Sequence, residues 1–111
     1  MPFDNEQKFE YQFYTISYHC NLKRMSCCCA LCCYVSLVDK ETSKDFTQTL
    51  YLHDGFHNNE LNEMFILDKL EDARYNVIED WKAYKNSTEE GKTQLWLHEF
   101  LHAVNKVEAR R

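Results

Sequence analysis

The sequence predicts a single α+β domain: a three-stranded antiparallel meander followed by two helices on one face, in the order βββαα. Three observations point there. The segments Lys8 to Cys20 and Met25 to Val38 are rich in aromatic, β-branched and other apolar residues, and Phe46 to His53 alternates between apolar and polar. Beyond residue 60 the apolar spacing changes from two to three and four, the period of a helix. The chain has 111 residues, enough to bury one core and so one domain, 1–111.

In the first strand Phe9, Tyr11 and Phe13 point one way and Tyr14, Ile16 and Tyr18 the other. The phase changes at Phe13–Tyr14, which predicts a bulge or a strand apolar on both faces. Met25 to Val38 is apolar at nearly every position, the pattern of a central strand covered on both sides. The polar run Asp39 to Asp45 is a turn, and the third strand has Phe46, Leu50 and Leu52 on one face and Thr47, Thr49 and Tyr51 on the other. Short connections favour antiparallel pairing. Asp54-Gly55 ends that strand, and Asn58 or Asn59 can cap the first helix. Its core stripe is Ile66, Leu70, Ala73, Val77, Trp81 and Tyr84. Ser87 with Glu90 fits a capping box for the second helix, whose apolar face is Leu97, Phe100, Leu101, Val104 and Val107. Two helices can cover one sheet face. The other face is then expected to need a cover: a homodimer partner, another protein, or part of this chain folded back.

Composition excludes several classes. Hydrophobic residues are 44% and charged residues 28%, a globular balance rather than a disordered one. Two Gly and one Pro leave no material for a Gly-rich phosphate cradle. A net charge of −5 disfavours direct nucleic-acid binding. The longest apolar run is about 14 residues, short of the roughly 20 a membrane span needs, and no export signal opens the chain. A cytoplasmic protein is expected, in the host cytoplasm if the source is viral.

The six cysteines are Cys20, Cys27, Cys28, Cys29, Cys32 and Cys33. Five of them fall within seven positions, which does not suit a loop-closing disulfide framework, so reduced thiols acting as small hydrophobes are expected. Neighbouring strand residues point to opposite faces, which also argues against a shared metal. The run resembles a cysteine string for palmitoylation, which would require it to be exposed.

His98-Glu99-Phe100-Leu101-His102 is an HExxH motif. Two His one turn apart share a helix face and can grip one metal, and the intervening Glu can serve as base to a bound water. With Leu95, Trp96 and Leu97 before it and Ala103-Val104 after it, the stretch resembles the zinc-metallopeptidase signature. That resemblance implies a zinc cofactor, His98 and His102 as ligands and Glu99 as catalytic base. It covers about ten residues. Asn105 and Glu108 stand where the metzincin pattern HExxHxxGxxH has its Gly and last His, and the helix is expected to run on through Ala109. A second pair, His53 and His57, can supply a missing ligand if the fold brings it near. The plain alternative is that these His are boundary residues beside an apolar stripe.

Between Glu60 and Asp80 there are seven acids against Lys69 and Arg74, with Asp68, Asp72 and Glu79 opposite the core stripe. Such a face is either simply solvated or suited to a basic partner. In composition the chain resembles the small acidic, aromatic-rich inhibitors of phages and other mobile elements. The function expected first is therefore protein binding or inhibition, through a sheet surface carrying Tyr11, Tyr14, Tyr18 and Tyr51 and an acidic helix face of Asp68, Asp72 and Glu79. The alternative is the zinc-dependent hydrolase.

Overall fold

The structure, a computed structural model, describes residues 6–24, 28–54 and 61–109, with side chains to Asn105. Its elements are β1 (Gln7–Glu10), β2 (Tyr14–Arg24), β3 (Cys29–Asp39), β4 (Asp45–Asp54), α1 (Glu63–Lys85) and α2 (Glu89–Ala109). The sheet is antiparallel and follows chain order, β1-β2-β3-β4. The α+β class and the order of strands before helices are as expected, but the described residues form four strands rather than three.

The extra strand comes from the phase change at Phe13–Tyr14. The chain reverses there instead of bulging. Tyr11 N–H donates to Tyr14 O at 2.9 Å, and Lys40 N–H donates to Phe13 O at 3.0 Å, tying the turn to the far end of β3. After the reversal Phe9 lies opposite Ile16, and its ring meets Tyr18 edge-on at 5.7 Å. The turn contains no Gly, Pro or Asn, which hides it from a sequence reading.

β3 is interior, as its apolar run predicted, but the two sheet faces differ. Register places Ile16 opposite Leu37, Cys20 opposite Cys33 and Leu31 opposite Leu52, and all six are buried beneath α1. The outward face carries Thr15, Ser17, His19 and Asn21 from β2 and Thr47 and Thr49 from β4, around Cys32, Tyr34, Ser36 and Val38 of β3. Ser36 Oγ and Thr47 Oγ1 lie 3.2 Å apart there. The expectation of a second apolar face is therefore corrected. Cys, Ala and Tyr count as apolar in a sequence window, yet on β3 they stand between two strands that turn hydroxyls and amides outward.

The cysteines are also corrected in part. Cys20 and Cys33 form a disulfide across β2 and β3, with Cα atoms 4.1 Å apart. They are directly opposed in register and both point inward. That closeness belongs to strand pairing, which spacing along the chain does not reveal. Cys32, one residue away, faces outward as strand alternation requires.

Asn62 caps α1, its Oδ1 accepting from Phe65 N–H at 2.9 Å. Asn58 and Asn59, the expected caps, lie outside the described residues. Ile66, Leu70, Ala73, Val77 and Trp81 are buried against the sheet as predicted. Glu63 in the first turn and Lys82 and Lys85 in the last complement the helix dipole. For α2 the cap is Thr88, whose Oγ1 accepts from Gly91 N–H at 3.0 Å. Ser87, the expected cap, instead donates to Tyr84 O at 2.6 Å and closes the end of α1.

Where these elements meet, Asp39 is wholly buried at the end of β3. Its Oδ1 accepts from the N–H groups of Glu41 and Thr42, both at 2.9 Å, and shapes the β3–β4 turn. Its Oδ2 accepts from Trp81 Nε1 at 2.7 Å and pairs with Lys85 Nζ at 2.8 Å, reaching two successive turns of α1. Burial tends to raise the Asp39 pKa. The hydrogen bonds from Lys85, Thr42, Trp81 and Glu41 outweigh it and bring the pKa down to about 2 from 3.8.

A carboxyl lowered in this way stabilises the fold above its unfolded pKa, and the contribution disappears as pH falls through the folded value. The shift corresponds to about 2 kcal/mol, lost between roughly pH 4 and pH 2. Asp39→Asn, which keeps the shape but strips Lys85 of its counter-charge, is expected to cost about 3 kcal/mol at neutral pH. It should also abolish that acid limb; urea unfolding across pH measures both effects. Gly91 provides a second check, because the start of α2 presses on the end of α1. A Cβ there would sit 2.7 Å from the Lys85 carbonyl carbon and closer still to its oxygen. Gly91→Ala should therefore destabilise by about 1–3 kcal/mol, despite the roughly 1 kcal/mol that Ala gains in helix propensity.

Candidate functional site

α2 leans on the rest of the domain through an aromatic cluster. The Trp81 ring meets Tyr14 edge-on at 4.9 Å, and His98 at 5.1 Å. Phe13 from the β1–β2 turn stacks at 6.4 Å from Trp81. Within this cluster His98 Nε2 is 2.9 Å from the Tyr14 hydroxyl. His98 Nδ1 is buried, has no hydrogen-bond partner among the described residues, and lies 3.8 Å from a Glu99 carboxylate oxygen. Glu99 itself is engaged by Lys82 Nζ at 2.7 Å, across the two helices.

Within the motif, His98 and Glu99 thus help to hold α2 in place. Burial lowers the His98 pKa and outweighs the pull of Glu99. The hydrogen bond from Lys82 lowers that of Glu99, ahead of the burial that would raise it. Burial raises the Tyr14 pKa, keeping its phenol protonated as the partner of His98.

His98 and His102 do share one side of α2, as their spacing predicts, and both line a groove. His53 is elsewhere. It pairs with Ala30 near one end of β3, whereas Tyr14, which holds His98, pairs with Asp39 at the other. Nine register steps separate these pairs, roughly 30 Å of strand. The structure therefore does not bring His53 to the HExxH pair. His57 and the side chain of Glu108 lie outside the described residues. Among the described residues no three His, Cys, Asp or Glu stand together as a metal site.

The four tyrosines expected on one surface divide. Tyr14 is buried, 4% exposed, and Tyr18 lies on the same inner side of β2. Tyr11 sits in the β1–β2 turn beneath Arg74, whose guanidinium is 5.9 Å from its ring centroid. Tyr51 is 64% exposed on the outward sheet face. Asp68 and Asp72 are exposed on α1 and Glu79 is partly so, beside exposed Met64, Leu67 and Tyr75.

Two features escaped the sequence reading. One is the groove, of about 330 Å³, lined by Tyr11, Gln12, Phe13, Tyr14, Arg74, His98, Leu101, His102 and Asn105. The other is an outward apolar stripe on α2. Trp96 is 67% exposed and Phe100 51%, their rings stacked at 5.6 Å and 12°, with Val104 exposed one turn on. Phe100 and Val104 had been expected inside. The i, i+4, i+8 spacing of this stripe is a legible signal, but the Leu residues of the same helix competed with it for the role of core face.

No protein-family model, curated protein or solved structure matches the chain. Among the described residues no helix is long and apolar enough to cross a membrane.

The positioning role of the motif is measurable. Glu99→Gln should cost only about 0.5–1 kcal/mol, the value of a partly exposed ion pair. By nuclear magnetic resonance the His98 ring should titrate with a midpoint below 6.5. The sign follows: the folded state resists protonating His98, so its contribution is complete above 6.5 and lost as pH falls through the folded midpoint. A midpoint above 6.5 would mean that Glu99, not burial, governs the ring.

Proposed function

We propose that this protein is a non-enzymatic binding module that docks another protein through the outward stripe of α2, with the acidic face of α1 favouring a basic partner. The stacked, solvent-exposed pair Trp96–Phe100 carries the reading. Isolated apolar residues on a surface are ordinary, but a large aromatic pair extended along one helix face by Val104 is a docking pattern. Aromatic anchors of this kind supply much of the energy of an interface.

Charge argues for the kind of partner. The chain carries −5 overall, and Asp68, Glu71 and Asp72 are all exposed on α1. An acidic protein gains more in steering and pairing from a basic-rimmed apolar surface than from a second copy of itself. The homodimer first expected rested on an apolar outward sheet face, and that face is largely polar. Inhibition is the natural consequence if the partner's basic surface is its own working surface.

The test uses the full chain, isotopically labelled, titrated with an amphipathic helical peptide rich in Leu, Lys and Arg. Resonance shifts should centre on Trp96, Phe100 and Val104 and extend to Asp68 and Asp72. Trp96→Ala should weaken binding by about tenfold or more. Shifts confined to the sheet, or a dimer in sedimentation that Trp96→Glu dissociates, would overturn the assignment of the face to a basic partner.

A further inference from the structure

The groove between the β1–β2 turn and the two helices is an electrostatic exception within this acidic chain. Among the described residues, none of the nine that line it is Asp or Glu, while Arg74 and His102 face it beside His98. The nearest acid of the motif, Glu99, is neutralised by Lys82 at 2.7 Å. Arg74 is half-buried, and its contacts are phenols. Its guanidinium lies over the Tyr11 ring, 5.9 Å from the centroid, and within electrostatic reach of Tyr14 and Tyr18. No carboxylate among the described residues forms an ion pair with it. A neutral phenol orients a guanidinium without cancelling its charge, so a partly desolvated cation is left facing an open groove.

We propose that this groove binds a phosphate monoester, with Arg74 as the principal ligand-contacting residue. The donor supply decides between anions. Arg74 presents a planar fork of N–H groups, and His102, Gln12, Asn105 and the Tyr11 hydroxyl add donors around it. A carboxylate offers two oxygens; a monoester offers three peripheral oxygens and up to two charges, and uses this surround more fully. The volume of about 330 Å³ lies at the small end of ligand sites and suits a phosphate on one compact group. Phe13, Tyr11 and Leu101 supply an apolar wall for that group, which favours an aromatic or short aliphatic ester. His98 is already committed to Tyr14 and holds the wall in place rather than contacting the anion.

The phosphate can be carried by a small molecule or by a phosphorylated tyrosine of a peptide, and the experiment separates these. The full-length protein is titrated with phenyl phosphate, with benzoate and with a short phosphotyrosine peptide, followed by calorimetry and by resonance shifts. Saturable binding of phenyl phosphate, at least about tenfold tighter than benzoate, is expected, with shifts at Arg74, His102 and Tyr11. Tighter binding of the peptide would assign the source to a protein; equal or weaker binding would assign it to a small molecule. Arg74→Gln should lower affinity by about tenfold or more while leaving the circular dichroism spectrum unchanged, and Arg74→Lys should restore part of it. His102→Ala, at an exposed position, weakens binding independently if the site is correct. Equal affinity for benzoate, no saturable binding, or binding that neither Arg74→Gln nor His102→Ala alters would overturn the proposal.

Discussion

One buried carboxylate coordinates this fold. Asp39 closes β3, shapes the turn into β4 through two backbone N–H groups, and receives Trp81 and Lys85 from successive turns of α1. Its neighbour Lys40 donates to Phe13 and so ties down the β1–β2 turn. A buried charge is costly unless each of its oxygens is matched. Asp39 is matched by backbone and side-chain donors from separate elements, so the carboxylate is satisfied only when sheet and helix are in place together.

The placement of α2 follows from that arrangement. Trp81 is held by Asp39 and supports Tyr14, and Tyr14 in turn holds His98. Glu99 pairs with Lys82, and Gln94 hydrogen-bonds Glu41 of the β3–β4 turn. Polar contacts and a ring cluster thus secure α2 more than a continuous apolar seam does. Trp96, Phe100 and Val104 remain outward. The same geometry opens the groove, since Arg74 from α1, His102 and Asn105 from α2 and Tyr11 from the turn converge on space that the cluster leaves unfilled.

Charge on α1 is divided by face rather than blended. The acids of α1 face solvent, while the cations Lys82, Lys85 and Arg74 turn toward the α1–α2 and turn side of the domain. Lys82 and Lys85 meet carboxylates there. Arg74 meets phenols, and that difference sets the groove apart electrostatically from the acidic helix face.

The sequence by itself determined the α+β class, the strands-before-helices order, the interior position of the cysteine-rich strand and the buried stripe of α1. These follow from local periodicity, because side-chain direction repeats every two residues in a strand and every 3.6 in a helix. It also determined that His98 and His102 share a helix face. Tertiary structure alone decided that Tyr11–Phe13 is a turn, that Cys20 lies opposite Cys33, and that Tyr14 and Tyr51 belong to opposite faces. It alone placed His53 at the far end of the sheet from His98, and gave Asp39 its buried partners 42 and 46 positions away. Register and the direction from which a helix approaches are set by contacts between residues remote in the chain, and no spacing along the sequence encodes which remote residue will be met.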